Sequence, residues 1–274
     1  MILTVTDDLD LCRIAESGQC FRWEALGDGI YRIPHAGHCL RIAALGGGRF
    51  DLDCTGEELT AVWRPYLDLD EDYAAFRRRI GRDRDPYLFA AAQAEQGIRI
   101  LRQEPWEALI SFIISQNKNI PGIRTSIEKL CALAGEEKRD RAGQPFFTFP
   151  SPEAVAALSE AELRGCALGY RAEYVLATAR AGAEGRLDPE KLARIPEEEA
   201  IEELMGLRGV GRKVASCAVL FGLHRLNAFP KDVWIRRILE REYPAGYPFA
   251  DYAPYNGVMQ QYMFAYERHR NQAV

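Results

Sequence analysis

Apolar residues change their spacing once along this chain, and the change divides it. Over residues 1 to about 70 they form short alternating runs, "GIYRIPHAGHCLRIAAL" and "GGGRFDLDCT", broken by Gly, Pro and Asp. A period of two with turn residues at the breaks predicts an antiparallel sheet. From "EDYAAFRRRI" onward the apolar positions recur three and four apart, as in "PWEALISFIISQ", "IRTSIEKLCALAG" and "AEYVLATARAGAEG", which is the period of helices with one buried face. Ser151-Pro152 and Asp188-Pro189 each pair a cap residue with proline at the first helical position, and Ser159 with Glu162 makes a capping box. Gly135, Gly169 and Gly206 stand where helices should stop. The fold class predicted is α+β: a small N-terminal antiparallel β domain, residues 1–80, and then a mostly α-helical region of roughly ten helices, residues 81–274.

Composition narrows the class. The chain has 274 residues, 47% apolar and 27% charged, ordinary values for a soluble globular protein with ample core. Its longest apolar stretch, around "ALISFIISQ", is far short of the roughly 20 residues that span a bilayer. The start, "MILTVTDDLDLCRIAES", carries acids where a secretory signal needs bases. A cytoplasmic, nucleoid-associated monomer with no membrane partner is expected. The seven cysteines (Cys12, Cys20, Cys39, Cys54, Cys131, Cys166 and Cys217) include no C-x-x-C, which argues for reduced thiols and against a disulfide framework or cysteine-bound metal. The four histidines lack ligand spacing, and His35 and His38 read as polar positions in a β turn.

The formal charge is −5, which taken alone speaks against a nucleic-acid partner. Its distribution says otherwise. Residues 204 to 241 hold eight basic side chains against Asp232 and Glu240, a local +6 of the kind a phosphate backbone needs. The same segment contains "EEAIEELMGLRGVGRKVASCAVLFGL", which reads as helix, glycine turn, helix. Gly209 and Gly211 would permit positive φ in a tight hairpin and close approach of its backbone to another surface. The unpaired amides at the start of the second helix make a seat for an anion. An αα-hairpin with glycines for geometry and arginines for solubility fits the same residues.

Lys213 heads that apolar second helix. A helix N-terminus is electropositive, and burial penalises charge; both favour the neutral amine, which can attack an electrophilic carbon and form a Schiff base. A lysine whose stem covers the helix while its head reaches water is the ordinary alternative. In "FPKDVWIRRILER", Pro230 fixes the approach and Asp232 is placed as an N-cap. Its carboxylate could also steady positive charge near the lysine.

"LRGVGRK" followed at this spacing by "PKDVW" resembles the helix-hairpin-helix DNA glycosylases. "GQCFRW" (18–23), "LRQEPWEALISFIISQNKNI" (101–120), "LGYRAEYV" (168–175) and "YNGVMQQYMFAY" (255–266) are similar to one branch, the 8-oxoguanine DNA glycosylase/AP lyases, over nearly the whole chain. The resemblance implies two helical subdomains with an active-site cleft between them, and a duplex DNA partner containing oxidised guanine. It implies Lys213 as nucleophile at the sugar C1′ with strand cleavage by β-elimination, and Asp232 as stabiliser of positive charge. Cys217 and Phe264 would sandwich the flipped base against Pro230, Gln260 would bond its Watson–Crick edge, and the Gly18 carbonyl would accept the N7 hydrogen that guanine lacks. Asn117 would fill the emptied stack, Tyr170 would wedge beside it, and Arg171 would contact the orphaned partner base. Gly209, Gly211 and Arg212 would hold the DNA backbone.

Several positions depart from that family's pattern. Arg208 replaces a proline in the hairpin, and Trp234 stands where a histidine is common. Gly122 occupies the place of a second arginine that reads the opposite cytosine, so relaxed opposite-base discrimination is expected. No cysteine follows Cys217, so no iron–sulfur cluster and no other cofactor is expected, though a cation could sit against the carbonyls of the 207–211 hairpin. A monofunctional alkylated-base glycosylase would lack the lysine, and a non-catalytic helix-hairpin-helix DNA-binding protein would need neither Lys213 nor Asp232.

Overall fold

The computed structural model describes residues 1–272. Five strands, β1 (Ile2–Thr4), β2 (Glu24–Gly27), β3 (Ile30–His35), β4 (His38–Gly46) and β5 (Arg49–Leu52), form an antiparallel sheet in the order β1-β5-β4-β3-β2. The period of two is realised: Tyr31 and Ile33 of β3 and Leu40 and Ile42 of β4 point into one core. The β3–β4 turn has both central residues, Ala36 and Gly37, at positive φ, the twist that suits a two-residue hairpin. His35 is not the polar turn position expected. It is buried against Tyr66, ring centroids 4.0 Å apart, and burial pushes its pKa down to about 4. Helices also interrupt this region. α1 (Leu11–Glu16) is capped by Asp10, and α2 (Gly56–Glu58), a π turn (Leu59–Trp63) and α3 (Arg64–Tyr66) run together. Trp63 and Tyr66 from this stretch join the sheet's core.

From α4 (Tyr73–Arg78) onward the chain is helical and contributes to a second, continuous core that also takes Phe21. It proceeds through α5 (Pro86–Ala94), α6 (Pro105–Ser115) and α7 (Ile120–Ala134), where Gly135 caps the end as expected. A hairpin not expected from the sequence follows, β6 (Glu137–Arg139) paired with β7 (Pro145–Phe147). Then come α8 (Pro152–Ala156), α9 (Glu160–Gly165), α10 (Arg171–Ala183), α11 (Pro189–Arg194) and α12 (Glu197–Met205). The Ser151, Ser159 and Asp188 caps are all formed. Gly169 does not end a helix: α9 stops at Gly165, and Gly169 lies at φ +59° in the loop before α10. The last elements are α13 (Arg212–Phe221), α14 (Val233–Glu242), α15 (Phe249–Tyr252) and α16 (Asn256–Gln272).

Buried polar side chains join sheet and helices. Arg99 is wholly buried and donates to the carbonyls of Asp8, Asp68 and Glu71 and to Asp7 Oδ2 (2.9 Å), with its guanidinium 4.7 Å from the Tyr73 ring. Asp68, also buried, accepts from Tyr73 Oη (2.8 Å) and Arg102 Nε (3.0 Å) and lies 3.3 Å from His224 Nε2, just past the end of α13. These partners outweigh burial and hold the Asp68 carboxyl below the usual range. A depressed carboxylate adds stability above its unfolded pKa of about 4, and that stability is lost as pH falls through the lower folded value. Asp68→Asn should therefore cost roughly 2 kcal/mol at pH 7 by removing the charged acceptor that Tyr73, Arg102 and His224 share. Urea unfolding across pH checks this: the gap between the two proteins should be full at neutral pH and close below about pH 4.

Candidate active site

Helix α13 is buried from Val214 to Phe221, and only Arg212 and the half-buried Lys213 reach its surface end. The hairpin before it is tight for a specific reason. Gly209 has φ +77°, and a Cβ there would meet the Tyr174 ring at 2.3 Å. Gly211 differs from expectation: its φ is −91°, an ordinary extended value, and a Cβ would meet nothing within 4 Å. One glycine therefore makes the turn and the other leaves open space at the N-cap. The carbonyls of Leu207 and Gly209 accept from Val210 N (3.1 Å) and Gln116 Nε2 (3.1 Å). Each carbonyl oxygen has a second lone pair, the donor set a hairpin cation would require.

Lys213 faces a narrow cavity with Gly18, Phe112, Cys217, Pro230, Asp232, Gln260 and Phe264 on its walls. Residues scattered over 247 positions meet here because α13 and α16 each present one stripe, with Lys213 and Cys217 one turn apart, as are Gln260 and Phe264. Lys213 Nζ lies 5.2 Å from the centroid of Phe112. Asp232 is the N-cap of α14, accepting from Ile235 N at 2.8 Å, so its carboxylate is held still while it faces the amine's cavity. Burial pushes the Cys217 thiol up, with Lys213 pulling the other way. The sulfur is thereby a neutral, polarisable wall. Gln260 is buried and its Oε1 has no hydrogen-bond partner, an uncommon state that calls for a donor from outside.

Gly18 is at φ +77° and a Cβ would meet Phe264 Cε1 at 3.0 Å. Its loop is pinned on both sides. Gln261 Nε2 donates to the Ser17 carbonyl (2.5 Å), and the wholly buried Gln19 accepts from Leu101 N and donates to the Arg99 carbonyl, both at 2.8 Å. With Phe264 against Gly18, about 40 Å³ of the cavity is free, room for about one water. A flat heterocycle enters only if Phe264 swings aside.

The edge of the site is built from two turns. Asn117, exposed at φ +48° after α6, donates to Tyr170 Oη (3.2 Å), and Tyr170 is itself 44% exposed. Arg171 is not on that surface. It is buried, stacked 4.4 Å from the Tyr170 ring, and its guanidinium is spent on the carbonyls of Gln116, Asn117 (3.0 Å) and Leu168 (3.2 Å). The resemblance gave Arg171 to the orphaned partner base; in this structure three clustered carbonyls take four hydrogen bonds from its five N–H donors. Arg212 is paired with Glu198 (2.6 Å), and Arg208 with Glu173 (2.5 Å). Phe112, Gln116, Gln19 and Gln261 were missed in the sequence. The two glutamines of "GQC" and "MQQ" were the available signal: polar residues inside otherwise apolar stretches.

Comparison with known proteins agrees with this geometry. Residues 1–109 match the profile described as 8-oxoguanine DNA glycosylase, N-terminal domain, and residues 110–246 that of the HhH-GPD superfamily base excision DNA repair protein. An N-glycosylase/DNA lyase from Saccharomyces cerevisiae is 42% identical over 164 residues, 56% of this chain and 44% of that protein, so the match spans less than half the relative's length. A solved structure of MBOgg1 in complex with a low-affinity DNA ligand superimposes with TM-score 0.92 at 34% identity, covering 98% of this chain and 96% of that one. The Clostridium acetobutylicum 8-oxoguanine glycosylase/lyase, in complex with double-stranded DNA containing cytosine opposite 8-oxoG, gives 0.89 at 31% identity, covering 99% and 98%.

The unequal roles of the hairpin glycines are testable by stability alone. Gly209→Ala should cost at least about 1–2 kcal/mol, since it forces a side chain into the left-handed region and onto Tyr174. Gly211→Ala should change unfolding by under about 1 kcal/mol, because its φ suits any residue. Equal losses in chemical denaturation would refute the assignment.

Proposed function

Because the chain belongs to the 8-oxoguanine DNA glycosylase family within the HhH-GPD superfamily, we propose that it is a bifunctional DNA glycosylase/AP lyase that excises 8-oxoguanine from duplex DNA in base excision repair. The observation that carries this reading is the unpartnered Gln260 carbonyl oxygen inside the cavity that Lys213 and Asp232 also face. A guanine-type base offers N–H donors on its Watson–Crick edge, and the buried acceptor penalises any occupant that lacks them.

The damaged nucleotide turns out of the helix at a cost of a few kcal/mol. Asn117 and Tyr170 support the vacated stack. Cys217 and Phe264 flank the base, with the Gly18 carbonyl accepting the N7 hydrogen of the oxidised form. The Lys213 lone pair forms a bond to C1′ while the glycosidic bond breaks toward the base nitrogen. Asp232, fixed by its cap, balances the positive charge at C1′ and then on the imine. The sugar ring then opens: the nitrogen pair forms the C=N bond as the C1′–O4′ bond breaks and O4′ takes up a proton, and the resulting imine acidifies the C2′ hydrogens. Loss of one as a proton makes a C2′–C3′ double bond and expels the 3′ phosphate oxygen, which nicks the strand. The outward amides of the Gly211–Arg212 hairpin seat a backbone phosphate. A cytoplasmic monomer acting on chromosomal DNA fits a chain in which no described helix is long and apolar enough to cross a membrane.

Borohydride trapping tests the chemistry. A covalent adduct should form on a duplex with one 8-oxoguanine, not on undamaged or alkylated-base duplexes, and Lys213→Gln should abolish it. Base release without an adduct would instead favour a water-using alkylated-base glycosylase, and binding without release a non-catalytic protein.

Opposite-base choice is a second test. With Gly122 in the first turn of α7 and Arg171 occupied by carbonyls, no guanidinium is left free to read the partner base from these positions. Cleavage rates with the four possible partners should fall within about tenfold of one another, under about 1.4 kcal/mol. A steep preference for cytosine would contradict this.

A further inference from the structure

A second cavity of about 520 Å³ adjoins the first, and Lys213 lines both. Lys213 and Cys217 face the base cavity, whereas Arg212 and Ser216, each one residue earlier, turn toward the larger one, about 100° round the helix. Lys231 and Arg236 also line it, as do Glu197 and Glu198. The charges do not cancel locally. Arg212 and Glu198 neutralise each other as an ion pair. Lys231 and Arg236 have no carboxylate within ion-pair distance among the described residues. Lys231 Nζ rests 5.2 Å from the Phe249 centroid, and Arg236 Nε reaches the Asp232 carbonyl at 3.4 Å. Burial raises the pKa of Glu197, with Arg225 opposing, which weakens the remaining negative charge.

We propose that this cavity is a phosphate subsite, in which Lys231 and Arg236 hold the phosphate on the 3′ side of the damaged nucleotide and stabilise it as the leaving group of strand cleavage. The proposal rests on the glycosylase/lyase reading above. In the elimination a C2′ hydrogen departs as a proton to water. Its bonding pair becomes the C2′–C3′ double bond, and the C3′–O bond breaks with both electrons on the phosphate oxygen. A phosphodiester carrying one negative charge thereby becomes a terminal monoester that approaches two at neutral pH. Negative charge grows on the leaving group in that step, so cations fixed beside it favour the transition state over the ground state. The earlier step, release of the base, creates positive charge at C1′ and draws no such benefit. Phe249, 38% exposed and in edge contact with Phe229 at 5.0 Å, carries the Lys231 ammonium on its face at the wall of the cavity that both residues line.

The two steps can be read separately in one protein. Lys231 and Arg236 are exposed, so Lys231→Gln/Arg236→Gln is compatible with folding. Under single-turnover conditions on an 8-oxoguanine duplex, the ratio of nicking to base release should fall about tenfold or more in the variant. The borohydride-trapped adduct should shift toward the uncleaved strand. Nicking of a duplex with a preformed abasic site should slow by the same factor. A parallel fall in release and nicking would overturn the proposal, making the pair general DNA-binding residues, as would an unchanged ratio. If the unaltered protein forms no adduct and releases no base, the glycosylase/lyase reading itself fails, a result distinct from either.

Discussion

Burial of α13 on every side is the constraint on which the site depends. From Val214 to Phe221 each residue is enclosed, so the helix cannot slide or rotate without opening the core. Its first turn is therefore a fixed point. Two glycines make the enclosure possible: a Cβ at Gly222 would meet Ala218 O at 2.7 Å and Pro105 Cα at 3.0 Å, and one at Gly257 would meet Ala228 O at 2.5 Å. α6 thus approaches the end of α13 at backbone distance while α16 packs on the loop that follows α13, and their side chains, Phe112 and Gln260, arrive within the cavity that Lys213 faces.

Three arginines, Arg22, Arg99 and Arg171, are buried and have an inward role. Arg99 and Arg171 each gather several backbone carbonyls, and Arg22 reaches Glu128 (3.1 Å) and the Phe147 carbonyl (2.5 Å). A planar fork of five donors suits loops whose carbonyls lack partners. The result is a scaffold in which the irregular segments, the Gly18 loop and the Asn117 turn, are held as firmly as the helices. Gln116 then ties the Asn117 turn to Gly209 of the hairpin, so the edge of the site and its floor move together. Among the exposed cations, Lys231 and Arg236 are the ones that line the cavity beside the nucleophile.

Phe264 lies against Gly18 and fills the space that a base would need. The base cavity has room for about one water before substrate enters. An occupant must displace an aromatic ring and then satisfy Gln260. Both requirements favour a flat base bearing donors over other ligands, and both follow from the way α16 is seated.

Much of this was legible in the residues. Period two and period 3.6 divided sheet from helices, the Ser-Pro and Asp-Pro caps marked helix starts, and glycine, lysine and aspartate at their spacing indicated the chemistry, because each is a local rule acting within a few residues. What the sequence did not disclose was set by long-range competition. α1 and the π turn lie inside the β-rich region because the sheet needs a cover that alternation does not announce. His35 went to the core because Tyr66 stacks on it, and Arg171 turned inward because two carbonyls of a distant turn join one from its own loop around it. Only one of the hairpin glycines needs positive φ, since Tyr174, from another helix, fills the space at Gly209. Backbone geometry and capping are decided by neighbours in the chain. Which polar group faces solvent and which is consumed inside depends largely on partners far away in the chain, and only the tertiary structure brings them together.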